Sequence, residues 1–202
     1  KNMNTSKVKA NFYLLLASVI WGLAFVAQRM GAQAIGAFTF NGIRFALGSI
    51  AIVPLMIVLK KRKSRNEHMP IKLISHVKAG IIAGSTLFVA ASLQQIGLAY
   101  TTAGKAAFIS GLYIVLVPVL GIFLGHKNRK LTWVGVAIAA VGLYVLSVEG
   151  SFTIHKGDLF EMAGALIWAV HILILDHYSK RVDTIWLAFF QFISCSVLSI
   201  VT

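Results

Sequence analysis

The chain has 202 residues, of which 58% are hydrophobic and 12% charged, with a formal net charge of +13. A water-soluble domain carries about a quarter of its residues as charges, so this composition excludes one soluble core and makes lipid the solvent for much of the surface. The basic residues lie in clusters between apolar runs, with no aromatic-interleaved basic face, so the charge is read as helix-orienting loop charge and no nucleic-acid partner is expected.

Apolar runs long enough to cross a bilayer, roughly 17–25 residues each, follow one another along the chain. The first extends from about Asn11 to Gln28, the second from about Phe38 to Leu59, and the third from about Ala79 to Leu98. The fourth covers about Ala103 to Leu124, the fifth about Leu131 to Val148, the sixth about Leu159 to Leu175, and the last Ile185 to Thr202. Backbone groups in lipid must be bonded within the segment, so these runs are expected to be helices. The alternation of barrel strands is absent. The expectation is an all-α polytopic bundle of about seven helices. Lys9, the first run and Ala32-Gln33-Ala34 loosely imitate a cleavable signal, but the run is long for one and Trp21-Gly22 interrupts it.

The connections are short except for the polar segment from Lys60 to Lys78. Most Lys and Arg residues fall on one side: the N-terminus, the Lys60–Lys78 loop, Lys127-Asn128-Arg129-Lys130 and Lys180-Arg181. Arg29, Lys105 and Lys156 fall on the other, and Arg44 lies within a helix. The positive-inside rule places the basic side and the N-terminus in the cytoplasm, with the cell membrane as the location.

A shift of 147 positions lays the first two helices on the sixth and seventh without a gap. Lys9 falls on Lys156, Trp21 on Trp168, Phe45 on Phe192 and Ser49 on Ser196, while Asn11 falls on Asp158 and Arg44 on Gln191. Five helices per repeat, an odd number, would invert successive copies in the membrane, an architecture that recurs in secondary transporters. The expected division is a first five-helix repeat over 1–148 and the start of a second over 149–202.

Several residues resemble one family. Trp21-Gly22, Asn41-Gly42-Ile43-Arg44-Phe45-Ala46, Leu98-Ala99-Tyr100-Thr101-Thr102-Ala103, Pro118, and Gly135 with Gly142 are similar to the successive helix patterns of EamA-type members of the drug/metabolite transporter superfamily. Where that family often has Gly-Glu and a basic residue after the fourth helix, this chain has Gly125-His126-Lys127. The resemblance implies ten helices around a central cavity in a secondary transporter, often an exporter of metabolites. On that basis seven helices of ten are present, and the chain on its own is expected to be an incomplete transporter.

Trp21, Phe25 and Gln28 share one face of the first helix, and Trp168 and His171 one face of the sixth. As repeat mates, both faces would line one cavity; the competing reading is plain helix packing. Arg44, about six residues into its helix, must snorkel, pair or face water, either tying helices together or meeting an anionic substrate group. Gln94 and Gln95, with Ser110 and Tyr113 on one face of the fourth helix, read as interhelical hydrogen-bonding groups or cavity lining. Glu161 and His171 are the intramembrane groups suited to exchanging protons; Glu161 alternatively reads as a wet residue near the outer mouth. Lys105, opening the fourth helix, is expected at the outer headgroups. Gly80 with Gly84, and Gly121 with Gly125, form small-xxx-small pairs for close helix approach. The single Cys195 leaves no internal disulfide. No phosphate loop, metal spacing or nucleophile–base set stands out, so neither cofactor, metal nor catalytic residue is expected. The leading reading is a transporter of a small molecule working by alternating access; a membrane-embedded enzyme or assembly protein is the alternative. Substrate identity and oligomeric state are not encoded in these patterns.

Overall fold

A computed structural model describes residues 2–63, 73–125, 130–148 and 155–202, and these are almost wholly helical, with no strand among them. The helices are α1 (Asn2–Ile35), α2 (Ala37–Lys63), α3 (Leu73–Tyr100), α4 (Ala103–Ser110), α5 (Tyr113–Phe123), α6 (Lys130–Val148), α7 (Lys156–Ser179) and α8 (Thr184–Val201). α4 and α5 form one span, Ala103–Phe123, so the rods number seven, and six are long and apolar enough to cross a membrane. Lys127–Arg129 and residues 64–72 lie outside the described residues; of the segment expected as a loop from Lys60 to Lys78, the first residues to Lys63 continue α2 and those from Leu73 open α3.

The spans overrun the apolar runs at both ends because helix propensity and backbone bonding continue into the polar flanks. α1, at 34 residues, is about 50 Å long and exceeds the hydrocarbon core. It ends at Gly36, whose φ of +80° lets one residue reverse the chain into α2. Within the α4–α5 span, the Leu112 amide bonds the Ile109 carbonyl at 3.0 Å and the Ile114 amide bonds the Gly111 carbonyl at 3.1 Å. This tighter winding breaks the α-helical ladder at one turn.

α3 is the central helix. Its buried residues are mostly small, among them Ala79, Gly80, Ala83, Gly84, Ala90, Ala91, Ser92 and Gly97, and they let neighbours approach on two faces. A Cβ on Gly84 would stand 2.5 Å from Ser194 Cβ and 2.7 Å from the Gln191 carbonyl, so α8 lies almost backbone to backbone there. On the other face a Cβ on Gly164 of α7 would lie 3.5 Å from the Gln94 amide nitrogen. The expected close approach at Gly80 and Gly84 is therefore present. Gly125 takes another role: its φ of +78° caps α5, and a Cβ there would meet nothing within 4 Å.

The register of these contacts fixes direction. Gly80 meets Phe190 and Gly84 meets Gln191 and Ser194, so α3 and α8 run parallel. Gly97 meets Gly157 and Glu161 while Gly164 meets Ala90, so α3 and α7 run antiparallel. Gly42 meets Ile200 and Gly48 meets Phe192, so α2 and α8 are antiparallel as well. One apolar cluster joins Phe45, Leu87, Ala91 and Cys195, with Trp168 and Phe192 packed on it. Much of the interior is polar, with Gln28, Asn41, Gln95, Asp158, Glu161, His171 and Gln191 buried, while large apolar side chains such as Phe12, Leu23, Ile57, Ile138 and Leu166 face outward. That inversion follows from the solvent: lipid accepts leucine and phenylalanine, whereas amides and carboxyls must find partners within the bundle.

Candidate functional site

Two groups of side chains occupy the helices α1, α3, α4–α5 and α7. The first is aromatic. Trp21 stands edge-on to Tyr113 at 6.4 Å between ring centroids and edge-on to Trp168 at 6.3 Å, and Trp168 meets the His171 ring at 5.7 Å. Their interplanar angles, 73–79°, are the T-shaped arrangement favoured by the ring quadrupole. Trp21 is 54% exposed, whereas His171 is buried. The His171 imidazole bonds the Ala83 backbone, and its Nδ1 has no protein partner.

The second group is polar. The amide of Gln94 donates to Ser110 Oγ at 3.0 Å, and Ser110 Oγ donates to Glu161 Oε2 at 2.7 Å. Ser110 has one hydroxyl hydrogen, so accepting from Gln94 commits it to Glu161 and gives the relay one direction. Glu161 is 0% exposed, so the wet-mouth reading is not borne out. It fits because Gly97 has no side chain: a Cβ there would lie 2.8 Å from both Glu161 Cγ and Oε1. One turn of α7 closer to its start, Asp158 accepts from Lys105 Nζ at 2.5 Å, Thr101 Oγ1 at 3.0 Å and the His155 amide at 2.9 Å. Lys105 thus turns inward to a buried carboxylate, although it was expected among the headgroups; Asp158 supplies a stronger partner than solvated lipid does.

Of the sequence-derived candidates, Trp21, Tyr113, Trp168 and His171 join in the ring chain, and Gln94, Ser110 and Glu161 in the relay. Gln28 lies alongside, its backbone carbonyl accepting from the Gln95 side chain at 2.6 Å. Phe25 is half-buried on α1. Arg44 stands apart from both groups: its Nη2 donates to Asn41 Oδ1 at 2.9 Å, and its guanidinium lies over Phe40 and Phe45, all on its own helix. It ties no second helix by these contacts; Asn41, one turn earlier, meets Nη2, while the buried Nε has no protein partner. Thr101, Gly97 and the Lys105–Asp158 pairing escaped the sequence reading. The only signal was a lone acid, Asp158, in the first turn of a membrane helix.

Several buried polar atoms here have no protein partner, as do others elsewhere, such as Asn41 Nδ2 and Gln191 Oε1. Those here include Oε1 of Gln28, Gln95 and Glu161, Nε1 of Trp168 and Nδ1 of His171. Each such atom costs about 1–3 kcal/mol if left unmet. An open groove of about 400 Å³ lies elsewhere, between α5 and α6, and its lining, with Ile114, Val117, Pro118 and Gly135, is almost wholly apolar. None of the candidates lines it. Among the described residues no group of three His, Cys, Asp or Glu side chains is placed to hold a metal ion.

Residues paired by the 147-position shift also meet one another. Trp21 and Trp168, equivalent under the 147-residue shift, are in ring contact, and so are Phe45 and Phe192 at 5.6 Å. Ser49's mate Ser196 donates to the Gly42 carbonyl at 2.8 Å, across the same α2–α8 crossing.

A model of the EamA-like transporter family matches residues 8–148. An uncharacterized transporter of Archaeoglobus fulgidus is 30% identical over 195 residues, which cover 96% of this chain and 57% of the relative. The uncharacterized transporter YvbV of Bacillus subtilis is 26% identical over 200 residues, 97% of this chain and 63% of its own. A probable amino-acid metabolite efflux pump of Salmonella typhimurium is 26% identical over 165 residues, 80% of this chain and 51% of its own. The chain therefore spans about half to three-fifths of the length of these relatives. No solved structure matches it significantly.

Proposed function

Since the chain belongs to the EamA-like transporter family, we propose that it forms the first repeat, 1–148, and the opening of an inverted second repeat, from 149, of a ten-helix transporter that carries a small metabolite by alternating access. The observation that carries this reading is the meeting of repeat mates. Two antiparallel helices related by a two-fold axis touch at equivalent residues where the axis passes between them. Trp21 with Trp168 and Phe45 with Phe192 are two such points, and two points define an axis. The substrate path then runs beside it, walled by Trp21, Tyr113, Trp168 and His171, with the buried amide oxygens of Gln28 and Gln95, unmatched by protein donors, behind that wall.

This reading needs no covalent step. Glu161 and His171 are the proton-exchanging candidates, Glu161 through the Ser110–Gln94 relay and His171 through its unpartnered Nδ1. The efflux pump named among the relatives makes export of an amino-acid-like metabolite the first substrate class to test. The clustering of Lys and Arg at one set of helix ends supports an N-terminus in the cytoplasm and a location in the cell membrane.

The deciding measurement is flux of labelled amino acids and related metabolites by the full-length protein in proteoliposomes, set against substrate turnover by the same protein in detergent. Saturable, counter-transport-stimulated flux without chemical change is expected. Chemical conversion without flux would overturn the reading in favour of a membrane enzyme.

A further inference from the structure

The ties between the proposed repeats are of two kinds, and they behave differently when the repeats exchange conformations. A contact between mates maps onto itself under that exchange, so Trp21–Trp168 and Phe45–Phe192 persist whichever end is open. The cluster around Asp158 does not map onto itself. Asp158 opens α7, while its donors Thr101 and Lys105 flank the α3–α4 turn, and the carboxylate is buried although Lys105 is 39% exposed at its side chain. Beneath it the Gln94–Ser110–Glu161 relay crosses the same three helices. The backbones touch there too, since a Cβ on Gly157 would stand 2.7 Å from the Gly97 carbonyl oxygen.

The mate of Asp158 is Asn11, which carries no charge. An ion pair built on position 158 therefore cannot be reproduced by its counterpart on α1 at the opposite end of the bundle. The end where α7 begins is held by an interaction that its counterpart lacks.

We propose that Lys105 and Asp158, with Thr101, form a latch that shuts the α3–α4–α7 end of the transport path and sets the resting protein open toward the other end. The proposal rests on the transporter reading above, but it is read by accessibility instead of flux, so the two fail separately.

The test uses the full-length protein in a Cys195→Ala background, with one reporter at each end: Ala106→Cys below the latch, a fully buried position, and Ser18→Cys, an exposed position about one turn from Trp21 toward the start of α1. An impermeant thiol reagent is added to each side of sealed vesicles in turn. Asp158→Asn is expected to raise the Ala106→Cys labelling rate about tenfold, the shift of a two-state population by one decade, and to lower Ser18→Cys labelling correspondingly. Lys105→Gln, which spares the buried acceptor, gives the same reciprocal shift if Asp158→Asn proves too unstable to purify. Unchanged rates in the purified variants overturn the latch. A parallel rise at both reporters also overturns it, because that reports loosened packing. Reciprocal labelling in a protein that moves no solute keeps the latch and discards the transport reading.

Discussion

Gly97→Ala probes the tightest crossing of the proposed site. The added methyl would sit 2.8 Å from Glu161 Cγ and Oε1 and 3.0 Å from the Gly157 carbonyl, where ordinary contacts begin at 3.4 Å. α7 must therefore retreat by about 0.6 Å, which stretches the 2.7 Å Ser110–Glu161 bond to about 3.3 Å, near the limit of a useful hydrogen bond. Overpacking of this kind costs about 1–3 kcal/mol. Against it stands the helix-propensity gain of alanine over glycine, about 1 kcal/mol. Gly142→Ala makes the same exchange inside α6 where a Cβ meets nothing within 4 Å, so the helix-interior propensity gain cancels in the comparison and leaves the clash. The full-length variants, unfolded by titration with a denaturing detergent in mixed micelles, should differ by about 1–3 kcal/mol, with Gly97→Ala the weaker. Equal midpoints, within about 0.5 kcal/mol, would refute the claim that α7 is seated against α3 through Gly97.

Trp21→Ala and Trp168→Ala should each lower flux by more than they lower the amount of folded protein in the membrane; parallel losses would mark the pair as packing alone. Glu161→Gln keeps the size and the Ser110 acceptor but exchanges no proton, and it should flatten the pH profile of uptake; His171→Gln tests the second candidate the same way, and an unchanged profile removes the residue concerned from coupling. For orientation, a cysteine replacing exposed Ser179 at the end of α7 should be protected from an impermeant reagent in intact cells, and one replacing exposed Lys156 at its start should react. The reverse pattern would invert the topology.

The seven rods were legible because a bilayer-spanning helix writes itself as a continuous apolar run, and lipid leaves the backbone no other choice. The 147-residue shift paired Trp21 with Trp168 on few identities, and their contact could not have been read from it, because equivalence in sequence says nothing of which helices cross. Glu161 was visible as chemistry but not as a buried group. Its niche is made by the missing side chain of Gly97, 64 positions earlier, and α3 is small and apolar on nearly every side, so no periodic face announces which neighbour each residue meets. Lys105 was misplaced for a related reason. A lysine in the first turn of a membrane helix belongs at the headgroups unless an acid from another helix faces it, and Asp158 is brought there only by the α3–α7 crossing. Arg44 shows the opposite case: its partners Phe40, Asn41 and Phe45 are neighbours in sequence, yet the cost of burying a guanidinium drew attention to distant ones.

The turn at Gly111 and Leu112, where amides reach back three residues instead of four, divides one membrane span into two lever arms with a soft joint. Stiffness in a helix comes from the unbroken ladder, and here the ladder is interrupted. α4 carries Lys105 and Ser110 and is clamped to α7, whereas α5 carries Tyr113 and faces Trp21. On the transport reading proposed above, a displacement arriving along α5 meets this joint before it meets the Lys105–Asp158 pair, so the ring chain at Tyr113 is free to move while the charged end of the span keeps its register.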